Sequence, residues 1–76
     1  MLGERVTQED DRATLVGEWA DTASRRIAVF NVTSETAVVR HTSPVGRKRY
    51  VGTTRDEARQ ACADLDAADD WRCIQK

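Results

Sequence analysis

No stretch of these 76 residues stays apolar for the roughly 20 positions that a helix needs to cross a bilayer. A helical membrane span is therefore not expected. The opening Met1-Leu2-Gly3-Glu4-Arg5 also lacks the apolar core of a secretory signal, which makes the cytoplasm the expected compartment. In that compartment the two cysteines, Cys62 and Cys73, stay reduced, and their spacing matches neither a CxxC redox motif nor half of a zinc module. They are expected to be small core residues. Histidine occurs once, at His41, so a zinc site would need all three soft ligands to converge with a carboxylate or water, and no metal is expected. A His41-activated Cys62 thiolate is equally unsupported, because a cysteine in mid-helix gains nothing from a helix N-terminus.

The four glycines, Gly3, Gly17, Gly46 and Gly52, are too scattered to build a phosphate-cradling loop, and Ser24, Ser34 and Ser43 have no nucleophile-elbow context. Carboxylates come in pairs (Asp10-Asp11, Asp56-Glu57, Asp64 with Asp66, Asp69-Asp70), but a chain this short offers no cleft that would hold two of them in different environments. Surface solvation and helix capping account for them. No catalytic residue, cofactor or small-molecule substrate is assigned, and an enzyme is not expected. With four aromatic side chains, Trp19, Phe30, Tyr50 and Trp71, the core is thin, and a core of this size rarely supplies more than about 3–5 kcal/mol of net stability. Self-association into a homodimer is the natural supplement, above all if Trp19 or Val16 is left exposed.

What is present is a pattern of alternation followed by one helical stripe. Residues 1–12 carry Leu2 and Val6 as their only large apolar groups and end in Glu9-Asp10-Asp11-Arg12, which predicts a flexible acidic N-terminal arm. Residues 13–76 form one domain. Ala13 to Ala20 alternates as a half-buried strand, with Gly17 marking a bulge or a close approach. Ile27 to Thr33 is apolar on both faces, as a central strand is. Thr36 to Thr42 follows at hairpin spacing, and Arg47 to Val51, beyond a turn at Ser43-Pro44-Val45-Gly46, has the charges of a protected sheet edge. Thr54 and Glu57 have the spacing of a capping box, so a helix is expected over Arg55 to Ala68. Ala58, Ala61, Cys62 and Leu65 line one side of it. Trp71 to Gln75 alternates again as a last strand. The expected fold is α+β: an antiparallel sheet of four to five strands, in the order β-β-β-β-α-β, with the helix packed on one face.

Net charge is −1, yet it is unevenly spread. Residues 1–39 carry −3, residues 40–59 carry +4 and residues 60–76 carry −2. The central island supplies Arg40, Arg47, Lys48, Arg49, Arg55 and Arg59, with Tyr50 beside them, and these are expected to meet where the turn adjoins the helix start. Cations with an aromatic between them suit a phosphate backbone and a stacked base. The composition thus leads to a small non-enzymatic interaction protein, homodimeric, with weak nucleic-acid binding through Arg47-Lys48-Arg49 as the alternative.

Overall fold

Five strands and one helix follow one another in the computed structural model, which describes residues 13–76: β1 (Thr14–Asp21), β2 (Arg26–Asn31), β3 (Thr36–Thr42), β4 (Lys48–Thr54), α1 (Arg55–Ala67) and β5 (Trp71–Gln75). The acidic arm expected over residues 1–12 lies outside the described residues. All strands belong to one antiparallel sheet in the order β4-β3-β2-β1-β5. The strand that is apolar on both faces, β2, is the middle one. The charged β4 is an edge, and it runs three residues further than the sequence suggested, to the threonine that caps the helix. Among the described residues no helix is long and apolar enough to cross a membrane.

The helix starts where it does because Thr54 and Glu57 satisfy each other. Thr54 Oγ1 accepts from the Glu57 N–H at 3.0 Å, and Glu57 Oε1 accepts from the Thr54 N–H at 3.4 Å and from the Thr53 hydroxyl at 2.6 Å. From the outer edge of the sheet α1 runs diagonally over β3 and β2 to deliver the chain to β5 at the opposite edge. Its Ala58 and Leu65 are buried against Trp19, Val29 and Ala37, and Cys62 is packed around their margin with Val16, Ile27, Val39 and Trp71. Small residues on the helix allow the close approach that lets a sheet with so few aromatics exclude water.

Trp19 is fully buried, and its indole N–H donates to Asp66 on α1 at 2.8 Å, tying sheet to helix. Its ring lies back over Gly17. A Cβ on Gly17 would stand 2.7 Å from Trp19 Cη2, so only glycine fits there. The register of β1 against β2 also shifts between Leu15 and Gly17, so the bulge and the close approach coincide. Of the two exposures expected to favour self-association, that of Trp19 is absent, since a single chain buries it, and Val16 is half-buried. Cys73, expected in the core, is exposed on the edge strand β5, and Cys62 is half-buried.

Candidate anion-binding surface

Hairpin geometry brings two distant segments to one end of the sheet. The β1–β2 turn and the β3–β4 turn lie at the same end, because β1 and β3 run the same way. In the first turn the Asp21 carboxylate accepts from the backbone N–H of Ala23 at 3.0 Å and of Arg25 at 2.8 Å, and from Arg25 Nε at 2.7 Å. Burial pushes the Asp21 carboxyl up, but these bonds and the Arg25 charge together outweigh it and hold the group below the usual carboxylate range. Ser24 takes a left-handed conformation, φ 69°, to close the turn. In the second turn Pro44 and Gly46 occupy the second and fourth positions; the Gly46 N–H donates to the Ser43 carbonyl at 2.9 Å, and Gly46 has φ 90°. Its conformation aims Arg47, Lys48 and Arg49 back beside the first turn.

The result is a shallow groove of about 520 Å³ whose lining includes Arg25, Arg26, Arg47, Lys48 and Arg49, together with Ile27, His41 and Thr42. None of the described residues lining it is acidic. Arg25 is partly neutralised by Asp21, with Nη2 to Oδ2 at 2.7 Å, and its guanidinium stands over the Trp71 ring at 5.7 Å from the centroid. Arg26, Arg47, Lys48 and Arg49 are exposed.

The six cations of the sequence island do not converge. The turn and the helix start lie at opposite ends of β4, a seven-residue strand and hence about 20 Å long. Arg55 and Arg59 are at the far end, where Arg55 Nη1 reaches the Thr33 carbonyl at 3.4 Å and Arg59 pairs with Asp56 at 3.0 Å. Arg40 is elsewhere again, in the middle of the sheet face that the helix leaves bare. There its guanidinium lies 5.3 Å from the Phe30 ring centroid and 3.5 Å from Glu18, while its buried Nε has no hydrogen-bond partner. Only Arg47, Lys48 and Arg49 stay together at the groove, while Tyr50, the next residue of β4, faces the other side of the strand from Arg49 and stands across from Arg40. Arg25 and Arg26, which join them, were missed because they sit in a stretch of net negative charge. The signal was available in principle, since pairing β2 with β3 and β3 with β4 sets Arg26 and Lys48 on either side of Thr42.

The sheet face away from α1 carries its own order. The register aligns Arg72, Ala20, Arg26, Thr42 and Lys48 in one row across all five strands, and Glu18, Ala28, Arg40 and Tyr50 in the next. Leu15, Phe30, Val38 and Gly52 form a third. Among the described strand residues the face thus holds four cations, Arg26, Arg40, Lys48 and Arg72, against one carboxylate, Glu18. On the opposite side, α1 and the turn after it carry Asp56, Glu57, Asp64, Asp66, Asp69 and Asp70 against Arg55 and Arg59.

Burial, and then the Asp66 charge, push the Cys62 thiol up, away from thiolate reactivity, and Cys73 donates to the Gln75 carbonyl at 3.4 Å. Among the described residues no three His, Cys, Asp or Glu side chains gather as metal ligands would. The gap between helix and sheet, bordered by Val16, Val29 and Cys62, is only about 100 Å³, below the roughly 300–1,000 Å³ of small-molecule pockets. No protein-family model, curated protein or solved structure matches the chain.

Proposed function

We propose that this protein is a non-enzymatic interaction module whose ligand is nucleic acid, held by its phosphates at the turn end of the sheet. The observation that carries this reading is the basic groove, in which two turns remote in sequence pool Arg25, Arg26, Arg47, Lys48 and Arg49 with no acidic residue among the described ones that line it. In a chain of net charge −1 such sorting is not a by-product of composition. Guanidinium groups in particular favour phosphate, which they can engage through two parallel N–H donors. Contacts of this kind fix position on the backbone and carry little sequence information, so affinity is modest and falls with salt.

Fluorescence anisotropy with a labelled mixed-sequence oligonucleotide tests this directly. With three to five phosphates engaged, affinity should drop by at least an order of magnitude between 50 and 200 mM salt. Replacing Arg47, Lys48 and Arg49 together by alanine should abolish binding. Absence of binding at 50 mM salt would sink the proposal. Homodimerisation has no comparable observation behind it, since Trp19 is enclosed within one chain.

A further inference from the structure

We propose that the face of the sheet away from α1 takes the ligand as a single strand, with the backbone along the row Arg72, Arg26, Lys48 and a base stacked on Tyr50. This rests on the nucleic-acid reading above and adds a strandedness, a face and a stacking residue to it. Among the described residues charge is sorted so that the phosphates are drawn to this face and repelled by the acidic helical layer behind it. Tyr50 is 43% exposed, and it stands directly across from Arg40 and two residues along β4 from Lys48. Two residues of strand are about 7 Å, a span over which a phosphate held at Lys48 can place the base of its own nucleotide on the ring.

The neighbouring position supports the same arrangement. Gly52 follows Tyr50 on the same strand and face, and a Cβ built there would meet nothing within 4 Å. Nothing about its packing demands glycine. Its lack of a side chain leaves open space beside the exposed Tyr50 ring for a planar base. Stacking of this type needs free base faces, which a duplex hides within its own stack, so stacking on Tyr50 discriminates for unpaired strands. Arg40, with an unpaired Nε and a guanidinium already held against the apolar surface, supplies a second planar cation beside the ring.

The test measures affinity of the full chain for a labelled single-stranded oligonucleotide, for the corresponding duplex and for heparin, a polyanion without bases. Tyr50→Ala should weaken single-strand binding roughly tenfold and leave heparin binding unchanged, while Tyr50→Phe should retain the single-strand affinity. Gly52→Val should weaken single-strand binding as well, and since there is room for the side chain it should keep or raise the melting temperature. That pairing of weakened binding with intact folding cannot arise from structural damage. Single-strand affinity unaffected by Tyr50→Ala and Gly52→Val, or a duplex bound as tightly as the single strand, would overturn the inference and leave the basic groove as the binding site. Failure of the wild-type chain to bind any of the three ligands would remove the nucleic-acid reading itself.

Discussion

Trp19 does three things at once in this fold: it fills the core, covers Gly17 and donates its indole N–H to Asp66. Each has a measurable consequence. Gly17→Ala forces a methyl into a ring whose far side is pinned by the helix, and overpacking of this kind typically costs about 1–3 kcal/mol. A urea titration should show the midpoint falling by a corresponding amount, and an unchanged midpoint would mean that the ring can tilt freely. The Asp66 bond gives a pH signature. The Trp19 N–H, and with it the Lys76 ammonium, hold the Asp66 carboxyl below its usual range. A carboxyl depressed in the folded state contributes stability that is complete above the unfolded value near pH 3.9, and it is lost as pH falls through the folded value. Glu57, lowered chiefly by the Thr53 hydroxyl and the Thr54 N–H, acts in the same sense. Thermal melts should therefore show stability falling below about pH 4, with a shallower fall in Asp66→Asn. Of these features the sequence showed only that Gly17 was special. Which ring it made room for depended on the helix standing above it.

At the scale of the element, the capping box and the edge strand are where local chemistry was most legible. Thr54 and Glu57 identify the helix start without reference to anything distant, since both bonds are made within four residues. Removing the cap with Thr54→Ala should cost about 1 kcal/mol, read as a lower urea midpoint at constant slope. A change under about 0.3 kcal/mol would mean that sheet packing alone fixes the helix end. The helix C-terminus was less clear, because it has no glycine and no basic last turn; Ala68 simply turns extended, its N–H donating to the Leu65 carbonyl at 3.3 Å. Cys73, expected in the core, is exposed for a related reason. Alternation on β5 sets its side of the strand correctly, but whether that side is covered depends on how far a diagonal helix reaches over an edge.

At the largest scale the decisive property is the separation of charge, among the described residues, between a basic sheet face with its adjoining turns and an acidic helical layer. The salt dependence of oligonucleotide binding belongs to this scale, because it counts phosphates engaged over the surface rather than the strength of a single pair. Neutralising Arg26 and Lys48 together should reduce the slope of log affinity against log salt by about one for each phosphate no longer engaged. A slope that does not change would place the phosphates elsewhere. Periodicity and the capping box determined the element order, the central position of β2 and the side of α1 that faces the sheet, since each follows from neighbours a few residues apart. Only the tertiary structure decided which cations share a surface. Pairing β2 to β3 to β4 joins Arg26 to Lys48 across about 20 residues of chain, while the length of β4 holds Arg55 and Arg59 away from Arg47, although far fewer residues intervene. Charge clusters by distance in space, and in an antiparallel sheet that distance is set by register and strand length, which no local window of sequence contains.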